Sequence, residues 1–184
     1  MTKSAGDPGD PRVARTRRDV IQASAAILLE DGWGAATHAA VARRSGYSKA
    51  TLYAHWPTPT DLMRDAIDRI CEESTTPAPS GDLREDLRTL LGRFALALSE
   101  RRYDQLMAGA IELAGRNEVA RELRDRLYET ATKGIRDTLA THLPARDVDP
   151  SLAMLVGAVL VRVTYEGEAA TAEFIADVVD RVLG

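Results

Sequence analysis

Residues 37–62, THAAVARRSGYSKATLYAHWPTPTDL, constrain the fold of this chain more than any other stretch. Thr37 is a helix cap, and Ala39, Ala40, Val41 and Ala42 behind it are small and apolar. Arg43-Arg44-Ser45-Gly46 ends that helix, with cations in the last turn where the helix dipole favours them. Ser48 caps the next helix. Pro57 stops it, because proline donates no N–H and disfavours helical geometry in the residue before it. Thr58, Pro59 and Asp61 supply a cap, a proline at the first helical position and an acid three residues after the cap. The stretch therefore reads as a short helix, a glycine turn, a second short helix and the start of another.

Strand signals are nearly absent elsewhere, and valines and isoleucines recur at helical spacing. The spacing predicts about nine helices. The first spans Pro11 to Glu30, with an apolar stripe of Val13, Val20, Ile21, Ala25, Ile27 and Leu28, and Asp31-Gly32 stops it. The fourth runs from Thr58 to Glu73. STTPAPSGD, residues 74–82, is the one strong linker. Further helices follow over Asp82–Glu100, Tyr103–Ala114 and Glu118–His142, then from Asp149-Pro150 to about Tyr165, and over Ala172–Leu183. The predicted class is all-α: a three-helix head over 12–57 behind a disordered leader (1–11), a connecting helix (58–73) and a second helical domain (74–184).

Bulk properties narrow the function. One cysteine, Cys71, excludes a disulfide framework and suits a reducing cytoplasm. No apolar run is expected to approach the ~20 residues that span a membrane, and the leader is not a secretory signal. A net charge of −4 argues against a generic nucleic-acid coat, but residues 1–60 carry +3 and residues 61–184 carry −7. A basic head on an acidic body fits a DNA-binding part joined to one that does not bind DNA. No spaced His/Cys/Glu set, nucleophile elbow or glycine-rich phosphate loop is present, so neither an enzyme nor a metal or cofactor site is expected.

The third helix has the composition of one that lies in a DNA groove. The second helix of a helix-turn-helix must be short, polar where it faces the major groove, and apolar where it packs. Leu52 and Trp56, four apart, make the packing face. Lys49, Ala50, Thr51, Tyr53 and His55 lie around the rest. Lys49 can donate to guanine or to phosphate, and Thr51 can bond a base edge or touch a thymine methyl. Tyr53 and His55 suit phosphate oxygens, which position a protein without reading sequence.

Thr37, Val41-Ala42, Gly46-Tyr47-Ser48, Thr51-Leu52-Tyr53, His55-Trp56 and Asp61-Leu62 resemble the motif of the TetR (tetracycline-repressor-like) transcription regulators, over about residues 12–72. Tyr47 stands where valine is usual, Trp56 where phenylalanine is, and Pro59 where many members carry a phosphate-binding lysine. The resemblance implies double-stranded DNA contacts from His38, Tyr47, Ser48, Lys49, Ala50, Thr51, Tyr53 and His55.

It also implies a cytoplasmic homodimer that binds a palindromic operator and answers to an unknown small-molecule effector. Filling the effector pocket would move the fourth helix and change the head spacing. For the dimer, the segment Leu152, Leu155, Val156, Val159 and Val163 is apolar nearly all round. Phe174, Ile175, Val178, Val179 and Val182 give the last helix a matching stripe. An internal core helix of a monomer is the alternative. Pocket candidates are Phe94, Met107, Ile111, Leu127, Tyr128 and Arg162, and a residue like each apolar one is more often core than pocket. Arg162 is either paired with Glu166 one turn on or an anchor for an acidic ligand. The competing reading of the whole chain is an all-helical protein-interaction module that binds no DNA.

Overall fold

The structure, a computed structural model, describes residues 11–73, 75–100, 102–115 and 118–184. Among them the regular structure is entirely helical. The helices are α1 (Pro11–Asp31), α2 (His38–Ser45), α3 (Lys49–His55), α4 (Pro59–Glu72), α5 (Leu83–Glu100), α6 (Tyr103–Ala114), α7 (Glu118–His142), α8 (Ala145–Leu160) and α9 (Ala172–Leu183). The leader expected over 1–11 lies outside the described residues except for Pro11, which opens α1.

The caps behave as their chemistry dictates. Thr37, Ser48 and Thr58 each accept an amide N–H of the first turn, from Ala40, Thr51 and Asp61 respectively. Asp61 returns the bond to the Thr58 amide and completes a capping box. The Thr58 hydroxyl, and then its amide, hold the Asp61 carboxyl below the usual carboxylate range.

The chain forms two compact units. The first holds the residues up to Glu73 together with Ala108–Arg124; the second holds Ser74–Met107 and Asp125–Gly184. The sequence-based division at residue 74 and this one part company over 108–124. In the first unit α1 packs on α2 and α4, and α2 on α3. A 3-10 turn, Trp33–Ala35, follows α1 and buries Trp33 against Gly109 of α6. Periodicity carries no signal for a single turn, and none was expected there. In the second unit α5, α8 and α9 pack mutually. Leu87, Leu91, Leu98, Leu152, Leu155, Val159 and Val179 are sealed in that core.

Three expectations need correction. The eighth helix starts at Ala145, four residues before Asp149-Pro150, and carries Pro150 inside it. Both Pro150 and Arg146, whose carbonyl loses its helical donor, are exposed, so water can take that bond. The same helix does not run evenly to Tyr165, because Val161–Tyr165 winds as a π-turn with Glu166 N–H bonded to the Val161 carbonyl. Thr164 donates its hydroxyl to the Leu160 carbonyl at 2.6 Å, a back-bond that competes with the regular ladder there. Finally, Ala145–Tyr165 is long and apolar enough, at mean hydropathy 1.4, to cross a membrane by length and composition. Here its apolar side is packed on α5 and α9 as a core helix.

Gly109 has a packing reason. A Cβ there would lie 2.1 Å from Cδ1 of the buried Trp33 ring. Gly109→Ala is expected to destabilise the protein by about 1–3 kcal/mol through overpacking. Urea unfolding followed by tryptophan fluorescence reads it, and an unchanged midpoint would mean the ring is not seated there.

Candidate nucleic-acid interface

α2 and α3 are too short to be stable alone, so their relative placement rests on packing and a few hydrogen bonds. Gly46 turns the chain between them in the left-handed region (φ 77°, ψ 6°), which a Cβ disfavours. Val41 and Ala42 of α2 and Leu52 of α3 are buried, and Trp56, just past α3, is 2% exposed. The Trp56 indole N–H donates to Asp65 Oδ2 at 2.8 Å, and Arg17 donates to the same oxygen at 2.7 Å. The Arg17 guanidinium also lies over the indole, 5.1 Å from its centroid. α1, α3 and α4 thus meet at one ring.

His38 is also part of this anchor, which corrects the expectation that it touches DNA. It is 3% exposed, and its Nε2 is 2.7 Å from the Trp56 carbonyl oxygen. A carbonyl can only accept, so Nε2 carries the proton and donates. The His38 ring stacks on Tyr53, with centroids 4.2 Å apart and planes 16° apart. The histidine therefore supports Tyr53 from behind and cannot itself reach a phosphate.

The other expected contacts divide by exposure. Ser48, Lys49, Ala50 and Tyr53 are exposed, as is Ala54, which was not anticipated. Tyr47, Thr51 and His55 are half-buried. The hydroxyls of Ser48 and Thr51 bond each other at 2.9 Å, so the cap already occupies Thr51. Tyr47 donates to Asp19 of α1 at 2.9 Å. Behind the turn, Arg44 grips Glu30 with both guanidinium nitrogens. That hydrogen bond holds the Glu30 carboxyl below its usual range and raises Arg44.

Asp65 and Arg17 are the positioning residues that sequence reading missed. Their partners lie 9 and 48 positions away in sequence, so no local pattern could flag them.

In the second unit the expected dimer residues separate. Leu152, Leu155, Val156, Val159, Ile175 and Val179 are buried among their own helices and have no area left to give a partner, which corrects that assignment. Val163, Phe174, Val178 and Val182 are half-buried. The outward side of the same helix carries Met154 (52% exposed), Val161 (45%) and Tyr165 (83%), with Gly157 and Ala158 between them.

The six pocket candidates differ in exposure. Phe94 and Leu127 are core, Met107 is half-buried, and Ile111 and Tyr128 are exposed. Arg162 adopts the ion-pair arrangement: it donates to Glu166 at 2.9 Å, reaches Glu168, and lies 5.3 Å from the Phe174 centroid. Two cavities of this unit, of about 420 and 630 Å³, are lined by none of the six.

Residues 20–66 match the family profile described as bacterial regulatory proteins, tetR family, and residues 77–182 match the tetracyclin repressor-like C-terminal domain. An uncharacterized HTH-type transcriptional regulator of Bacillus subtilis (strain 168), YdeS, is 25% identical over 182 residues, covering 93% of this chain and 89% of its own length. An uncharacterized HTH-type transcriptional regulator of Mycobacterium tuberculosis is 32% identical over 91 residues, covering 49% of this chain and 45% of its own. Among solved structures, the Flavonoid-responsive Regulator FrrA superposes with a TM-score of 0.68 at 23% identity over 92% of this chain and 94% of its own. A transcriptional regulator of Rhodococcus sp. Rha1 gives a TM-score of 0.65 at 18% identity over 91% and 94%. Both have the same fold.

The Trp56 anchor can be tested directly. Asp65→Ala leaves the buried indole N–H and the Arg17 fork without an acceptor, at an expected cost of about 1–3 kcal/mol. Asp65→Asn keeps an acceptor oxygen and should recover part of it. Equal denaturation midpoints for wild type and both variants would sink the anchor.

Proposed function

The chain belongs to the tetR family of bacterial regulatory proteins, and on that premise we propose that this DNA-binding transcription regulator is a cytoplasmic, ligand-responsive repressor that binds a palindromic operator as a homodimer. One observation carries the reading. α3 turns Lys49, Ala50, Tyr53 and Ala54 outward while Leu52 and Trp56 hold it from behind. A helix anchored on one side and polar on the other is what the major groove accepts. Lys49 serves as donor to guanine or phosphate, Ala50 meets a base edge, and the Tyr53 hydroxyl meets a phosphate. Ser48, Tyr47, Thr51 and His55 flank them.

The homodimer is supported by the outward strip of α8 and the π-turn that continues it. Met154, Val161 and Tyr165 recur at helical spacing, with small residues between them that permit close approach of a second helix. A two-fold axis through such a strip would pair two heads and require half-sites about 34–36 Å apart, one turn of DNA, or a multiple of that. The flavonoid-responsive regulator FrrA has the same fold, which supports control by a small molecule. Control requires only that the ligand bind the DNA-free form more tightly than the DNA-bound form.

Gel shifts against the DNA flanking the chain's own coding region test the central reading. Selective, salt-dependent binding is expected. Lys49→Ala and Tyr53→Ala should each weaken it by about 1–3 kcal/mol, Lys49→Ala without lowering the melting temperature and Tyr53→Ala without unfolding the protein. A folded, dimeric chain that shifts no duplex selectively would favour the interaction-module reading instead. For the dimer, Val161→Asp should convert a dimer to a monomer in sedimentation velocity and abolish tight operator binding. A dimer that survives it does not form through this strip.

A further inference from the structure

The larger cavity, of about 630 Å³, lies among α5, α7 and the segment 76–81, wholly within the second unit. That segment is a strap fastened at both ends. Arg93 of α5 donates to the Thr75 carbonyl at 2.9 Å and to its hydroxyl at 3.3 Å. At the other end the Ser80 amide donates to Asp86 at 2.7 Å, with the Gly81 amide at 3.4 Å. Gly134 lets the strap approach α7, since a Cβ there would come within 3.0 Å of both Thr76 and Leu90. The strap therefore forms one wall of the space in a definite seating, with the other side open to solvent.

The lining has a one-sided chemistry. It contains Glu85, Asp86, Asp137 and His142 and no lysine or arginine. Of the α5 arginines, Arg84 and Arg88 are both spent on Asp180 of α9, and Arg93 is spent on Thr75 at the strap's end without lining the cavity. Asp137 has its own cation in Lys133. Among the described residues Glu85 and Asp86 make no ion pair. Asp86 is 7% exposed, and its charge is met by the Ser80 amide and hydroxyl, the Gly81 amide and the nearby His142, with no lysine or arginine paired to it. His142 Nδ1 donates to the Thr138 carbonyl at 2.9 Å, which fixes the ring at the cavity wall. Pro77, Pro79 and Leu90 supply an apolar wall.

We propose that this cavity is a binding site for a small organic cation, a protonated amine or guanidinium bearing a compact apolar group. Its N–H groups would meet the carboxylates of Glu85 and Asp86, which make no ion pair among the described residues, and such charge-assisted bonds are stronger than neutral ones. Its apolar part would rest on the proline-lined strap, in a volume within the range of small-molecule sites. The site is a different place from the six residues first considered for an effector. Only its use as the regulatory site rests on the function proposed above.

Benzylamine, benzyl alcohol and benzoate share one ring and differ in charge, so they test the proposal on the unmodified full chain. Calorimetry near neutral pH should give saturable binding of one benzylammonium per chain. The alcohol and the carboxylate should bind at least about tenfold more weakly. Amide shifts on benzylamine addition should centre on Ala78 and Gly134. Glu85→Gln, at an exposed position, should weaken binding by a comparable factor with an unchanged circular dichroism spectrum. Equal binding of the alcohol, no saturation by the amine, or amide shifts centred elsewhere would overturn the site. No DNA enters this measurement, so a chain without an operator would leave its result intact. Binding without operator release would uphold the site and remove it from regulation.

Discussion

Everything the head can do depends on one buried ring. Trp56 lies where α3 ends, and three elements hold it: Asp65 of α4 takes its N–H, Arg17 of α1 covers its face, and His38 of α2 holds its carbonyl. Each bond taken alone is worth about a kcal/mol. Together they fix the angle of a seven-residue helix that has too few internal bonds to fix itself. His38 extends the effect outward by stacking on Tyr53, so a side chain on the outer face is braced through the interior.

The same economy of faces explains the second unit. α8 is apolar on nearly every side, and a helix of that kind must bury more than one face. Its inner side, with Leu152, Leu155 and Val159, fills the core against α5 and α9. Its outer side keeps Met154, Val161 and Tyr165. Core helix and interface helix are thus not alternatives for this segment: one set of residues serves the first role, and another set suits the second. α5 is divided in the same way, with Arg84 and Arg88 toward α9 and Glu85 and Asp86 toward the strap. That division leaves one cavity lined by carboxylates with no lysine or arginine in its wall.

Much of the architecture was legible from local chemistry. Thr37, Ser48 and Thr58 mark helix starts because a side-chain oxygen can satisfy an amide only a turn away, and Gly46 marks a left-handed turn because few other residues adopt it readily. Pro150 misled because proline opens helices more often than it sits inside them; the solvent around this one makes it tolerable. The π-turn after Leu160 left no periodic trace, since one additional residue in a turn is too short to shift a pattern. His38 looked like a phosphate ligand from its place at the start of α2, and nothing nearby in sequence says that its ring is turned inward.

The sequence alone determined that this chain is helical, where most helices begin, and which short helix carries a polar face, because all of these follow from contacts within four or five residues. Only the tertiary structure decided which polar residues remain outside, which apolar side of α8 is free, and which carboxylates lie without a cation. Those outcomes depend on partners tens of positions apart, such as Arg17 with Asp65 or Arg84 with Asp180. Burial and charge pairing are properties of neighbours in space, and no periodicity along the chain encodes them.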